Sequence, residues 1–321
     1  MSTLPGWPYL ESPFHAGEAA VQARAGSRER MAEIGPRVIR GVMPQQHREF
    51  FPLLPFVVLG AVDASGQPWA SWLVGSDAGF VTSPDETHLR IDALPPEGDP
   101  LRGLIHDGAS LGLLGIELPT RRRNRANGQV LGVDERGFTL QVLQSFGNCP
   151  KYIQRREMLP RRAAAAAPAA QPSDRLDARA AALVRLADTF FIATHAAGDG
   201  PSAGSDVSHR GGRPGFVGVS DDGRTLIWPD FMGNNFFNTF GNLAAEPRAG
   251  LVFADFASGD LLHVNGRAEI VWEGPELNRF AGAQRLVRLH VEHVLHRPAA
   301  LPLRWQFVDA SPALDGTGVW A

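Results

Sequence analysis

Short apolar runs separated by turn-forming residues make up most of the chain. The segment PFVVLGAVDASGQPWASWLVG (55–75) has two such runs on either side of Asp63, Ser65 and Gly66. Apolar runs of this length around turn-forming residues predict two strands joined by a turn. The same β pattern continues in GASLGLLGIEL (108–118), NGQVLGV (127–133) and GFTLQVLQSF (137–146).

The segment QRLVRLHVEHVLHR (284–297) alternates apolar and polar residues with a period of two. This period predicts a strand, because successive side chains of a strand point to opposite faces. The apolar face is predicted to carry Val287, Leu289, Val291 and Leu295.

Three histidines in this segment, His290, His293 and His296, resemble a metal-binding cluster. On a strand, however, His293 faces away from the other two, which does not suit the shared geometry of three ligands. We therefore expect no metal site here.

Three segments have a different composition. Residues 1–15 contain several prolines and predict an extended arm, whereas 16–34 are rich in Ala, Glu, Arg and Gln before Gly35-Pro36 and predict one helix. The Ala/Pro-rich segment 160–174 predicts a linker.

The second half of the chain repeats the first. GFVTSPDETHLRI begins at Gly79 and GFVGVSDDGRTLI begins at Gly215, 136 positions later. Two further pairs, Gly112 with Gly250 and the Asn-Gly pair at 127 with that at 265, are each 138 positions apart. Three matches in register indicate a duplicated domain, since the period is too long for a solenoid.

Each copy is predicted to run as three strands, a short helix and three further strands. In the second copy, the helix is predicted from Phe236, Phe237, Phe240 and Leu243 behind a start at Gly233-Asn234. Short strands with Gly and Asp turns predict a small closed or nearly closed barrel in each copy, in a mainly β chain with some α structure (α+β). The predicted domains are an arm and helix (1–40), a first barrel (41–158), the linker (159–178) and a second barrel (179–321).

Composition narrows the choice of partners. The chain has 321 residues, 44% of them hydrophobic and 20% charged, with a net charge of −3. This is typical of a globular protein and gives no electrostatic reason to expect nucleic acid. No run reaches the roughly 20 apolar residues that span a bilayer. We expect a cytoplasmic protein with no nucleic-acid or membrane partner.

The run GSDVSHRGGR (204–213) concentrates hydrogen-bond donors in one place. Arginine side chains and backbone N–H groups beside glycine suit a phosphate, and His or Ser donors suit the polar edge of a ring. The candidate contacts are Val207, Ser208, His209, Arg210 and Arg213. The alternative is a solvated hairpin loop.

The segment PDFMGNNFFNTFGN (229–242) places amides at the predicted start of a helix, where free N–H groups favour an anion. The candidate contacts are Asn234, Asn235, Asn238 and Thr239. Simple helix capping is the alternative.

The first copy has a basic strand, TRRRNRANG (120–128), whose charge the second copy has mostly lost. Arg122, Arg123 and Arg125 are predicted to reach across to a phosphate held by the second copy. An edge strand protected by charge is the alternative. In FGNCPKYI (146–153), Lys151 is a further candidate contact, and the single cysteine, Cys149, is read as a packing residue beside the site.

Taken together, SDVSHRGGRPGFVGV, IWPDFMGNNFFNTFGNL and AGLVFADFASGDLLHVNGRAEI resemble the pyridoxamine 5'-phosphate oxidase-related, FMN-binding split-barrel proteins. The resemblance implies tandem split β-barrels with FMN held between them. It implies that Trp228, Pro229 and Asp230 follow the flavin ring, and that Asn234, Asn235, Asn238 and Thr239 lie near the phosphate. It also implies Ser208, His209 and Arg213 at the ring and ribityl chain.

True pyridoxamine phosphate oxidases have basic residues where this chain has Asn234-Asn235, and an Arg-Leu-x-Pro-like ending that this chain lacks. A general FMN-dependent oxidoreductase is therefore the leading hypothesis, with His209 as candidate acid–base residue and a small redox substrate such as NAD(P)H. The alternatives are a module that binds, stores or senses flavin or haem without turnover, and a structural protein without ligand. The chain is compatible with a homodimer.

Overall fold

The structure, a computed structural model, describes residues 6–161 and 170–320. The first seven strands form one sheet: β1 (Phe56–Val62), β2 (Pro68–Val74), β3 (Val81–Thr82), β4 (His88–Ile91), β5 (Ser110–Glu117), β6 (Arg122–Val133) and β7 (Phe138–Gly147). Two short strands follow, β8 (Arg155–Met158) and β9 (Gln171–Ser173). The remaining strands are β10 (Thr189–Ala196), β11 (Gly204–Gly211), β12 (Gly218–Val219), β13 (Thr225–Asp230), β14 (Arg248–Ala254), β15 (Leu261–Val271), β16 (Arg285–Arg297) and β17 (Trp305–Asp309).

The order of strands shows that the two halves have the same fold. The first sheet runs β2-β1-β5-β6-β7-β4-β3, and the second runs β11-β10-β14-β15-β16-β13-β12, with β9 added beside β16. Strand by strand, the second order is the first repeated. In the described residues, the edge strands of each sheet do not pair with each other, so each half is a split barrel. The predicted tandem split-barrel fold is confirmed.

The repeated Asn-Gly pair has the same structural role in both halves. The register of β6 against β7 shifts between Asn127 and Gly128, and that of β15 against β16 shifts between Asn265 and Gly266. A Cβ atom on either glycine would lie within 2.0 Å of a backbone oxygen of the neighbouring strand (1.8 Å and 1.9 Å). Only glycine fits at each bulge.

The bulge corrects one detail of the predicted strand 284–297. Asn265 pairs with His293 and Gly266 pairs with Val291, which leaves Glu292 as the extra residue. Beyond the bulge the faces exchange, so Val294 rather than Leu295 joins the core.

In the residues that the structure describes, six α-helices lie around the sheets: α1 (Ala16–Arg24), α2 (Arg28–Val38), α3 (Gln45–Phe50), α4 (Ala178–Leu186), α5 (Asn238–Ala245) and α6 (Pro275–Arg279). The prediction of one helix over 16–34 is wrong. Gly26 adopts a left-handed backbone (φ 68°) and separates α1 from α2, and α2 continues through Pro36 to Val38. No helix among the described residues is long and apolar enough to cross a membrane.

The predicted boundaries of the arm, the barrels and the linker stay predictions. Residues 162–169 of the linker lie outside the described residues.

The two barrels are joined by an apolar layer of their own. Each barrel has a separate core, and a third cluster lies between them, formed by the outer faces of β1, β2 and β5 from one copy and β10, β11 and β14 from the other. The sheets meet at glycines: a Cβ on Gly112 would lie 2.8 Å from the Cα of Asp206. This contact places the polar residues of β11 beside the arginines of β6.

We predict that Gly250→Ala destabilises the protein by roughly 1–3 kcal/mol, because the new Cβ would overpack the layer between the barrels. It would lie 2.2 Å from the carbonyl oxygen of Pro68 in the other copy. Chemical denaturation measures the effect. Gly200→Ala is the control, since a Cβ there meets nothing within 4 Å. Equal stability of the two variants would show that the layer is not tightly packed.

Candidate functional site

A cleft lies where the two copies meet, between β6 and the 148–152 loop of the first and β11, β13 and α5 of the second. The empty volume of the cleft, including its open mouth, is about 860 Å³. The sequence-predicted residues that line it are Arg123, Arg125, Lys151, Ser208, His209, Arg210, Pro229, Asp230, Asn234, Asn235, Asn238 and Thr239.

Four predicted contacts lie elsewhere, which corrects the sequence analysis. Val207 is in the layer between the barrels and Trp228 is in the core of the second barrel, so neither side chain reaches the cleft. Arg122 alternates with Arg123 and stacks over Phe50 at 4.9 Å. Arg213 lies after the end of β11, with its side chain 47% exposed near Asp315.

Sequence reasoning missed the aromatic part of the cleft wall. These residues are Tyr152, Phe216, Phe231, Phe237 and Phe240. Tyr152 could have been predicted, because it directly follows Lys151, which the sequence analysis named as a contact. For the phenylalanines there was none, since an aromatic residue in a core and one in a cleft wall look alike in sequence.

A buried ion pair crosses from one copy to the other at the base of the cleft. Nη1 of Arg125 lies 3.1 Å from Oδ1 of Asp206, and the two residues are 6% and 4% exposed. Arg125 also donates to Oδ1 of Asn238 (3.0 Å) and to Oγ of Ser208. Asn127 donates to Oδ1 of Asp206 at 3.0 Å.

Thr239 extends this network along α5. Its hydroxyl lies 2.9 Å from Oγ of Ser208, which is itself 3.2 Å from Asp206. The polar side chains of β6, β11 and α5 are therefore one hydrogen-bonded unit, which holds each of them in a defined orientation.

The upper part of the cleft holds more positive than negative charge. Burial, followed by repulsion from Arg125 and Arg210, lowers the pKa of Arg123 to about 9. Burial likewise lowers the pKa of Arg210. Asp230 forms an ion pair with Arg285 at 3.2 Å, and Asp206 with Arg125. In the part of the chain that the structure describes, Arg123, Arg210 and Lys151 form no ion pair with a carboxylate.

His209 is neutral in this environment. Its pKa lies well below the usual value because the ring is buried and several arginines, first of all Arg123, surround it. Nη1 of Arg123 lies 3.0 Å from Nδ1 of His209 and donates to it, so the proton of the ring is on Nε2. Arg123 also donates to the carbonyl oxygen of Cys149 (2.8 Å). Cys149 itself is exposed at the cleft, which corrects its reading as a packing residue.

The turn before α5 differs from the prediction. The helix begins at Asn238 rather than at Asn234, because Phe237 has a left-handed backbone (φ 62°) that the helix cannot include. Oδ1 of Asn234 instead accepts from the N–H of Phe236 (3.1 Å), so this side chain shapes the turn. The turn is held to the first copy by Tyr152, whose hydroxyl donates to the carbonyl of Met232 (3.1 Å).

Because the fold is duplicated, the interface between the barrels has a second position that is equivalent to the cleft, which we call the mirrored position. Side chains fill the mirrored position. Gly60 pairs with Ala70 in the first copy and Ala193 pairs with Val207 in the second, which aligns β2 with β11. Counting along the strands, the equivalents of His209 and Arg210 are Trp72 and Leu73. The offset of 138 makes Leu261 and His263 the equivalents of Arg123 and Arg125.

All four mirrored side chains are at most 3% exposed. Trp72 stacks on Phe56 (centroids 4.2 Å apart) and meets Trp305 edge-on. Burial lowers the pKa of His263 to about 4, so this residue is neutral. At these four places, uncharged buried side chains therefore stand where the cleft has three arginines, a histidine and open space.

No group of three or more metal-ligating side chains occurs within residues 6–161 and 170–320.

Comparison with known proteins gives a match for the second half of the chain. Residues 176–306 match the family model described as pyridoxamine 5'-phosphate oxidase. No curated protein matches the sequence significantly.

Among solved structures, similar chains include HupZ of Group A Streptococcus (17% identity, TM-score 0.29, covering 36% of this chain and 90% of HupZ). A candidate pyridoxamine 5'-phosphate oxidase of Lactobacillus delbrueckii is 19% identical (TM-score 0.30, 38% and 94% covered). An FAD-binding protein of Mesorhizobium loti is 17% identical (TM-score 0.26, 40% and 97% covered). At these TM-scores the three likenesses carry no argument about function.

We predict that Arg125→Ala destabilises the ligand-free protein by roughly 3–5 kcal/mol, because it leaves Asp206 buried without its cation. Urea denaturation measures the loss. Arg122→Ala is the matched control: its side chain is 42% exposed and should contribute less than about 1 kcal/mol. A similar small loss in both variants would refute the structural role of the buried pair.

Proposed function

Residues 176–306 belong to the pyridoxamine 5'-phosphate oxidase-related split-barrel family, and on this premise we propose that the chain is a flavoprotein. It binds FMN in the cleft between its two barrels and exchanges electrons with a small redox substrate. The observation that carries the proposal is a cleft with unpaired arginine charge beside an aromatic wall.

The charge in the cleft suits a phosphate. Burying Arg123 and Arg210 close together is unfavourable, as their lowered pKa values indicate. A phosphate monoester with nearly two negative charges would offset this repulsion and accept charge-assisted hydrogen bonds. Lys151 at the mouth adds a third cation.

The aromatic wall suits a flat ring. Tyr152 and Phe231 lie with their ring centroids 5.1 Å apart, and Phe237 and Phe240 continue the wall. The cleft, with a volume of about 860 Å³ including its mouth, is open to solvent on one side, so part of a bound FMN would lie at the mouth. One side of the ligand would thus be accessible to a substrate.

Unpaired polar atoms support the fit of such a ligand. Nε of Arg123, Nε of Arg125, Oδ1 of Asn148 and Nε2 of His209 are buried without a hydrogen-bond partner in the described structure. Groups of this kind are rare in folded proteins and are expected where a ligand or water completes the site.

Bound FMN would supply hydride and electron transfer, and the residues of the chain would bind and orient it. His209 holds one proton, on Nε2, and resists a second at neutral pH. We therefore assign it a role as hydrogen-bond donor rather than as acid–base residue. The same neutral histidine suits the second candidate function, a protein that binds flavin without turnover.

We predict that Arg123→Ala weakens FMN binding by about tenfold to a hundredfold, the loss expected for one charge-assisted hydrogen bond. Binding of riboflavin, which lacks the phosphate, should change much less. Titration of flavin-free protein, followed by flavin fluorescence, measures both affinities. Arg213→Ala is the control because its side chain lies outside the cleft.

Wild-type protein that binds no FMN would refute the proposal. Equal losses for FMN and riboflavin would refute the role of Arg123. If FMN binds, anaerobic reduction by NAD(P)H followed by reoxidation separates the oxidoreductase from the binding protein, which would remain oxidised.

We also predict one FMN per chain, because the mirrored position is filled by Trp72 and Leu261 and has lost its arginines. Titration of a known protein concentration to saturation gives the stoichiometry. A value of two would show that the layer between the barrels opens to admit a second ligand.

A further inference from the structure

Helix α1 lies outside both sheets, yet it packs closely against α5 in the wall of the cleft. A Cβ on Gly17 would lie 2.3 Å from the carbonyl oxygen of Gly241, so the two backbones approach as closely as glycine allows. Nε2 of His15 lies 2.8 Å from Oδ1 of Asn242, and Gln22 donates to the carbonyl of Phe236 (3.1 Å). These contacts join the N-terminal segment to the helix that carries Asn238 and Thr239.

Glu18 makes the contact nearest to the cleft. It is 3% exposed, and its Oε1 accepts from Nδ2 of Asn238 at 2.6 Å. Oδ1 of the same amide accepts from Arg125 at 3.0 Å. Asn238 is therefore held from both ends, with its Nδ2 donating to Glu18 and its Oδ1 accepting from Arg125.

The charge of Glu18 depends on pH in the neutral to alkaline range. Burial raises its pKa to about 8; Asp206 of β11 raises it further, while the N–H of His15, the amide of Asn238 and Arg125 of β6 lower it. The neighbouring His15 has a pKa lowered by burial. At pH 7 the carboxyl group is therefore mostly neutral, and above pH 8 it adds a negative charge beneath the cleft.

We propose that α1 is part of the binding site, with Glu18 as a positioning residue that orients Asn238 and, through it, Arg125 toward a phosphorylated ligand. The inference rests on the proposed function, since it concerns the same cleft. It adds a third segment of the chain, outside both barrels, to the two that line the site.

The experiment compares wild type, Glu18→Gln and Glu18→Ala, with FMN as the probe, from pH 6 to pH 9. Glu18→Gln keeps a neutral acceptor for Asn238, so its affinity at pH 6–7 should equal that of wild type. Glu18→Ala removes the acceptor and should weaken FMN about tenfold at every pH. Glu29→Gln, an exposed carboxylate on α2, is the control and should match wild type throughout.

The pH dependence of FMN affinity distinguishes a positioning role of Glu18 from a purely structural one. From pH 7 to pH 9, wild type should lose affinity about fivefold relative to Glu18→Gln, the effect of one added charge near the phosphate. We compare the ratio of the FMN affinities of the two proteins, because the titration of FMN itself, of Arg123 and of Tyr152 affects both proteins equally.

Thermal unfolding of the ligand-free proteins is the second measurement. Because the folded pKa of Glu18 is raised, wild type loses stability relative to Glu18→Gln as pH rises from about 4.5 to 8, and the gap is constant above that. This difference in stability between the two proteins, and its change with pH, shows that the glutamine variant is folded and that Glu18 titrates with a raised pKa.

The outcomes are distinct. Wild type that binds no FMN would refute both the proposed function and this inference. Two results would refute the inference alone: a ratio of FMN affinities between wild type and Glu18→Gln that does not change with pH, or an FMN affinity of Glu18→Ala equal to that of wild type.

Discussion

The site depends on the buried ion pair between Arg125 of the first barrel and Asp206 of the second. Removing two charges from water is costly, and such a pair is tolerated only when the remaining donors and acceptors are satisfied. Asn127, Ser208 and Asn238, from β6, β11 and α5, satisfy Oδ1 of Asp206 and the two Nη atoms of Arg125, whereas Nε of Arg125 keeps no partner in the described structure. These hydrogen bonds fix the position of both barrels and of α5 relative to one another, and the cleft opens directly above this pair.

Duplication created two equivalent positions between the barrels, and a few side chains made them different. The order of strands and the Asn-Gly bulges are the same in both halves. At one position, Arg123 and Arg210 line an open cleft, whereas at the other Leu261 and Leu73 are buried in apolar clusters. The filled position adds apolar contact area between the barrels, and the open position leaves a cleft lined by charged and aromatic side chains.

The cleft of the free protein is electrostatically unfavourable, and this is consistent with a binding function. Arg123 and Arg210 repel each other in a partly desolvated wall, and several buried nitrogen atoms lack partners there. Helix α1 contributes a buried carboxyl group whose neutral form avoids adding charge at pH 7.

Local patterns in the sequence were sufficient for the strands, the turn at Asp63 and the tandem repeat, because each depends on residues close together in the chain or on a fixed offset. They also identified the polar residues of β11 and α5 that line the cleft. The sequence placed Val207 and Trp228 at the cleft, whereas both pack in apolar clusters, and the left-handed Phe237 moved the start of α5. The fold of each half and its polar segments can therefore be inferred from patterns in the sequence. Which side chains meet cannot, because it depends on contacts between distant parts of the chain: Glu18 and Asn238 are 220 residues apart, and packing between the barrels makes one position open and the other filled.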